Sequence, residues 1–444
     1  MDLKERLRML KAAGAQRTRA SSVEPADSAL VPSEVVAPAA AGPEPVFALA
    51  GGCIDGYAIA TEAGETFYQV TRYPIEYCRG PYPLEHVFGI PGKAWELIGK
   101  VPPDVNLREA VYLDTETTGL AGGTGTYAFL VGVGYFEGYD FVLKQYFLRD
   151  YPEEEAMLEA LTADLEGRNL IVSFNGKSFD WPLLETRFRM SRRRPPLGGV
   201  PHLDLLHPAR RIWRTRLQQC NLQNLEAQIF GVQRVGDVPG HLIPPLYFDY
   251  LRTGDARPLQ DVLLHNRLDI LSLVSLAAWL GQIVTDPFSP TADGELVCGD
   301  DLFALGRLFG ARGEAARSIS CLEAAWERGL YAVSEAQAQR ELSEAYKRAR
   351  QHERAVAIWS EMVATGGALS LFPYVELAKY YEHVEKDYVR AAQLAKQALA
   401  IAERRRSLAG VYGPGAAKDL ADVQHRLARL DRKSSQGAEG AQGA

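Results

Sequence analysis

The chain has 444 residues, 47% hydrophobic and 24% charged, and a formal net charge of -7. Its length allows two or three domains, its composition is that of a globular protein, and its acidity excludes a general polyanion binder. No run of about 18 apolar residues marks a membrane span, and five scattered cysteines without a Cys-x-x-Cys pair read as reduced thiols of a cytoplasmic protein, not a zinc site.

Residues 1–45 form a first region. Met1 to Ala15 carries Leu3, Leu7 and Leu10 on one stripe and predicts a short basic helix, either a frayed terminus or a docking helix. The start is too charged for a secretory signal. Residues 21–45 hold five prolines and read as a disordered linker. Residues 46–104 show short β patterns such as YAIAT and TFYQVTRYPI between Gly, Pro and Asp. They predict a small β-rich extension, either a pre-domain or added edge strands of the next sheet.

Residues 105–290 read as α/β. VYLDTET, AFLVGVGYF and FVLKQYFL have short connections and predict an antiparallel meander of three strands. A helix over 153–166, a buried strand LIVSFN at 170–175, a helix over 181–190, a strand-like HLDLL at 202–206 and a long helix over 259–284 follow. This is the element order of a ribonuclease-H-like mixed sheet flanked by helices. From residue 300 to 432 strand patterns disappear. Leu305, Leu342 and Leu377 recur, as do Ala316, Ala355 and Ala392, at a period near that of tetratricopeptide-like helical repeats. An all-α C-terminal domain is expected there, with residues 433–444 a disordered tail.

Asp114 and Glu116 in VYLDTETTGL lie two apart, so a strand presents both carboxylates on one face. Two like charges that close repel, and a hard cation with oxygen ligands is the simplest remedy. In SFNGKSFDWP, Asp180 follows a strand and a Gly-containing turn; it suits a helix N-cap or a metal ligand. In LLHNRLDILSL, His265 and Asp269 share a helix face at i, i+4 spacing, where a buried Asp needs a partner. His265 alone suits a satisfied core histidine as well as a site residue.

DTETTG, the N-x-x-x-F-D of Asn175 to Asp180 and the His-containing helix before Asp269 together resemble the DEDD (DnaQ-like) 3′–5′ exonucleases. N-G-K-S-F-D-W-P is similar to the second exonuclease motif of family B DNA polymerases, and the overall pattern resembles the YprB-like ribonuclease-H-like proteins. The likeness covers roughly residues 105–285. It implies Asp114, Glu116, Asp180 and Asp269 as ligands of two divalent cations, Mg²⁺ or Mn²⁺. It also implies phosphodiester hydrolysis by a metal-activated water, with His265 orienting or deprotonating that water. One departure stands out. The family places His five residues before the Asp, or Tyr four before it; here His takes the tyrosine position, with Asn266 a substitute or additional contact.

Thr117, Thr118, Gly119 and Leu120, together with Asn175 and Phe179, are the expected substrate contacts on this resemblance. The small-residue turn Gly122 to Gly125 reads as a tight hairpin or as backbone N–H groups near a nucleotide. Between Arg187 and Arg216 stand nine arginines and one acid, Asp204. The stripe is a solvated face or a phosphate track, with Arg210, Arg211 and Arg214 on the backbone and Trp213 and Phe188 as stacking partners. Asp204 reads mainly as structural. The expected function is a metal-dependent 3′–5′ exonuclease on single-stranded ends of DNA or RNA, with the repeats offering a surface to a protein partner. The alternative is a nucleic-acid-binding scaffold that recruits partners without cleavage. An Asp-x-Asp phosphatase fits poorly, because DTE lacks the second Asp.

Overall fold

The computed structural model describes residues 47–48, 54–119, 124–290, 294, 296–365, 370–408 and 415–442. The expected N-terminal helix, the linker over 21–45, and Leu120, Gly122 and Gly123 lie outside these. The chain divides into two units, Met1–Val297 and Cys298–Ala444.

The first unit is built on a mixed sheet. Its strands are β1 (Phe47–Ala48), β2 (Asp55–Thr61), β3 (Gly64–Pro74), β4 (Val111–Thr117), β5 (Ala128–Glu137), β6 (Asp140–Phe147), β7 (Ile171–Ser173) and β8 (His202–Asp204). They lie in the order β1-β2-β3-β6-β5-β4-β7-β8. β4, β5 and β6 form the antiparallel meander, with Asp114 opposite Gly132. β7 pairs parallel to β4, and β8 parallel to β7, as crossover connections require. β3 pairs antiparallel with β6 from Phe67 to Pro74, so residues 55–74 add strands to this same sheet. Phe67 in this extension is fully buried.

The helices of the first unit are α1 (Gly92–Gly99), α2 (Glu154–Leu165), α3 (Asp180–Met190), α4 (Leu206–Trp213), α5 (Leu222–Leu225), α6 (Ile243–Thr253) and α7 (Leu259–Thr285). A π-turn, Glu226–Phe230, continues α5. Strand alternation divides β4. Val111 and Leu113 join Phe129, Leu161, Leu184 and Tyr247 in the core beneath α2, α3 and α6. Phe129 stacks on Tyr247 with centroids 4.0 Å apart. The opposite face carries Asp114 and receives α7. That helix is long and apolar enough to cross a membrane, yet 72% of its apolar window is buried within the protein. A helix apolar on nearly all sides is what a core position demands.

Two glycines let α7 come close. A Cβ on Gly132 would stand 2.2 Å from Asn266 Oδ1, and one on Gly134 would stand 2.7 Å from Ile270 Cγ2. Bare backbone at β5 therefore admits the helix that carries His265, Asn266 and Asp269.

The described residues of the second unit form helices and no strand. These are α8 (Gly299–Ala311), α9 (Ala315–Arg328), α10 (Glu335–Arg348), α11 (His352–Thr365), α12 (Phe372–His383), α13 (Tyr388–Ser407) and α14 (Gly415–Gln442). Leu305, Leu342, Leu377, Ala355 and Ala392 of the recurring positions are buried, whereas Ala316 is exposed on the first turn of α9. α14 runs to Gln442, where composition predicts a disordered tail. Lys, Gln, Ala and Glu in this stretch are good helix formers, and extending a helix already anchored upstream needs no new nucleus, which offsets the two glycines and two serines. Lys433, Arg426 and Arg429 bind the fully buried Glu382 at 2.8 to 3.0 Å.

Candidate active site

The site begins on β4, whose period-2 pleat turns Asp114 toward α7. Asn266 Nδ2 donates to Asp114 Oδ2 at 2.9 Å and lies 3.3 Å from its carbonyl oxygen. Asn266 is itself fixed, because Gln145 Nε2 donates to its Oδ1 at 2.9 Å and to the Leu263 carbonyl at 2.8 Å. Glu116, two residues on, has no hydrogen-bond donor among the described residues. His265 Nε2 approaches it at 3.9 Å and Asp269 Oδ2 at 3.6 Å. The His265 spacing that departs from both exonuclease patterns thus still brings its ring to the acids.

Asp180 opens α3 at the end of β7. Its Oδ1 accepts from the Thr115 amide at 3.2 Å and, in a short bond, from Thr115 Oγ1. The loop before it is held by Asp204. That buried carboxylate accepts from the amides of Asn175 at 2.8 Å, Lys177 at 3.3 Å and Leu206 at 3.0 Å. Asn175 adopts a left-handed φ of 68°, a conformation Asn tolerates better than most residues. Gly176 is needed here as well, since a Cβ would meet Ser173 Oγ at 2.6 Å and Asp180 Oδ2 at 3.0 Å. Asp204 therefore positions the loop that delivers Asp180.

Burial is the largest influence on all four acids and lifts each above the usual carboxylate range. Asp114 is raised well up by burial and by its neighbours Asp269, Asp180 and Glu116, against the Asn266 hydrogen bond. Glu116 is raised likewise, by burial and then by Asp269, Asp180 and Asp237. Asp180 is pushed up to about 6 by burial, against the Thr115 hydrogen bonds. Asp269 is raised by burial, with Arg234 opposing. Four carboxylates crowded out of water are the electrostatic signature of a place for cations.

Among the described residues no three His, Cys, Asp or Glu side chains stand in the geometry of a closed ion site. Three of the acids are engaged by protein groups: Asp114 by Asn266, Asp180 by Thr115 and Asp269 by Arg234. The donor set nonetheless fits a hard divalent cation. It offers only carboxylate oxygens, it is buried, and Glu116 is left without a donor.

Sequence patterns miss a second layer of residues. Asp237 Oδ1 accepts from His265 Nδ1 at 2.8 Å. Because a carboxylate only accepts, that bond fixes the ring proton on Nδ1 and turns Nε2 to the acids. Burial works against the Asp237 charge, but His265 and Arg234 prevail and hold its pKa below the usual carboxylate range. Arg234 binds Asp237 at 3.0 Å, Glu226 at 2.5 Å and Asp269. Arg79 reaches the same Glu226 at 3.0 Å and Ser272 at 2.8 Å. Arg234 and Asp237 sit in a loop without periodicity, and the only signal for them is a pair of opposite charges flanking the turn glycine Gly236, five residues after Gly231.

A cleft of about 760 Å³ opens beside these groups. His265, Asp269, Asn175, Arg210, Arg214 and Cys220 are among its walls. Arg210 and Arg214 have no carboxylate partner among the described residues. The remaining expected contacts separate. Arg211 instead points Nη1 to the Ile98 carbonyl at 3.4 Å. Trp213 and Phe188 are fully buried, so neither can stack on a base; both are apolar ends of amphipathic helices, used as core. Arg187 is also interior, gripping Glu154 with two nitrogens. Phe179, beside Asp180, is 58% exposed. Thr117 Oγ1 donates to the Gly119 carbonyl at 3.0 Å, and Thr118 Oγ1 accepts from the Tyr127 amide at 3.0 Å, so both hydroxyls brace the end of β4. Leu120 lies outside the described residues.

Residues 111–281 match the RNase H superfamily. The uncharacterized protein YprB of Bacillus subtilis (strain 168) is 32% identical over 373 residues, which are 82% of this chain and 85% of YprB.

Proposed function

The chain belongs to the RNase H superfamily and to the family of YprB, and on that footing we propose that it is a metal-dependent nuclease, acting as a 3′–5′ exonuclease on single-stranded ends. The observation that carries this reading is the crowding of Asp114, Glu116, Asp180 and Asp269, all raised by burial, beside a cleft lined by Arg210 and Arg214, which have no carboxylate partner among the described residues. The cleft volume lies within the range that takes one small ligand or a short flexible segment, which favours a strand end over a duplex.

Asp114, Glu116, Asp180 and Asp269 would hold divalent cations, Mg²⁺ or Mn²⁺, which would supply Lewis acidity toward the attacking water and the departing oxygen. The chain's own residues do the rest. Arg210 and Arg214 bind phosphate oxygens along the cleft. Phe179, exposed at the mouth of the Asp180 turn, offers a face for a terminal base. His265 receives the proton of the attacking water at Nε2, and Asp237 holds the imidazole in the tautomer that leaves Nε2 open. Asn266 keeps Asp114 aimed at the site. The helical region over residues 300–432 reads as tetratricopeptide-like repeats that present a surface to a protein partner.

One observation favours the second reading, a nucleic-acid-binding scaffold without cleavage: Arg234 already occupies an oxygen of Asp269. Incubation with 5′-labelled single strands of DNA and RNA, with Mg²⁺ or Mn²⁺, separates the two. A ladder shortening from the 3′ end supports the exonuclease. Retarded but intact strands under both ions support the scaffold.

A further inference from the structure

The π-turn Glu226–Phe230 and the loop after it bring a guanidinium into the acid cluster. Arg234 has only 4% of its side chain exposed. Its Nε donates to Glu226 Oε2 at 2.7 Å, its Nη2 to Glu226 Oε1 at 2.5 Å and its Nη1 to Asp237 Oδ2 at 3.0 Å. The same Nη2 donates to Asp269 Oδ1. Glu226, wholly buried, is also matched by Arg79. With Arg79 opposite Glu226, the charge of Arg234 is available to Asp237 and Asp269.

We infer that Arg234 is an internal cation that competes with a divalent ion for Asp269, and so sets how tightly the acid cluster holds that ion. The inference rests on the metal-dependent reading above. Arginine keeps its charge at every working pH, so it cannot yield by losing a proton. It can yield by geometry. Nε on Glu226 and Nη1 on Asp237 anchor the planar fork, while the contact to Asp269 is a single bond from Nη2, the nitrogen that also donates to Glu226. An arriving ion replaces that one bond and leaves the rest of the clamp in place. Arg234 also keeps a buried carboxylate matched when no ion is bound, which is otherwise costly. It weakens ion binding at the same time, because a fixed positive charge faces the incoming one.

The test is Mn²⁺ binding to the full chain without nucleic acid, read by calorimetry or by the electron paramagnetic resonance of free Mn²⁺. The variant is R234M/E226Q, which removes one charge of each sign and leaves the net charge of the cluster unchanged. The expected result is Mn²⁺ binding at least tenfold tighter than wild type. Should that variant fail to fold, R234K serves: it keeps a charge on Glu226 but lacks the second arm to Asp269, and tighter binding by about threefold is expected. Equal or weaker binding by a folded variant overturns the inference. D269N separates the two levels. If D269N abolishes Mn²⁺ binding while the Arg234 variants match wild type, the metal site stands and only the role of Arg234 falls. If D269N binds Mn²⁺ as wild type does, the metal site at Asp269 fails and the inference with it.

Discussion

His202 shows how a single buried side chain ties the site's scaffold to pH. It lies on β8, 8% exposed, with Nε2 2.7 Å from Ser173 Oγ on β7. Burial drives its pKa down from 6.5 to about 4, against the pull of Asp204. The unfolded chain therefore binds a proton between about 6.5 and 4 that the folded chain refuses, and stability falls as pH drops through that window. The contribution amounts to about 3 kcal/mol at most, at roughly 1.4 kcal/mol per unit. Thermal melts from pH 7 to 4 are expected to show this loss in wild type and a flatter profile in H202Q; identical profiles would remove His202 from the account. At this scale the sequence was partly legible. Asp114, Glu116, Asp180 and Asp269 were legible as acids that could share one site, and the fold brings them near one another. Arg234 and Asp237 did not, because the loop that bears them has no period and meets Asp269 and His265 only through the fold. Trp213 and Phe188 misled for a related reason: an aromatic in a basic stripe reads the same whether it faces solvent or core.

Between elements, the packing of α7 on the meander decides whether the site exists. β5 meets that helix with Gly132, and the space a Cβ would take is filled by the Asn266 amide. G132A is expected to push Asn266 from Asp114 and to cost about 1–3 kcal/mol, the usual penalty of overpacking. Chemical denaturation measures the loss, and G134A, which crowds Phe141 and Ile270 instead, gives the comparison for packing without the Asn266 contact. A G132A protein as stable as wild type would show that the helix has slack the geometry does not suggest. The strands and long helices were readable from period, with ends within a few residues of those observed. Leu259–Thr285 stood out by its apolar length, and VYLDTET by its alternation. The glycines of β5 looked like weak points in a strand; their reason appears only when the partner helix is in place. The β pattern over residues 55–74 could not by itself choose between a separate domain and more strands, since edge pairing is a tertiary outcome.

At the scale of the whole molecule, each unit carries its own buried charge device. In the second unit Glu382 is fully buried and bound by Arg426, Arg429 and Lys433 of the last helix. Burial opposes its ionisation, but Arg429 and Lys433 prevail and hold its pKa at about 2. A carboxylate so depressed adds stability above its unfolded pKa of 4.5, and that stability is lost as pH falls toward 2. E382Q is expected to cost about 3 kcal/mol, as breaking a buried pair does, and to expose α14 to proteolysis; unchanged protection would contradict this. Repeat spacing foretold a helical region but not this clamp, because its partners lie on helices more than forty residues apart in sequence. In the first unit the corresponding device is the acid cluster, for which metal-dependent cleavage is proposed. The most direct measurement compares wild type with D114A on end-labelled single strands of DNA and RNA under Mg²⁺ and Mn²⁺, at matched fold by circular dichroism. Cleavage by wild type is expected to require the ion and to fall at least about a hundredfold in D114A. Equal cleavage by both proteins, or none by wild type with either ion, would contradict it.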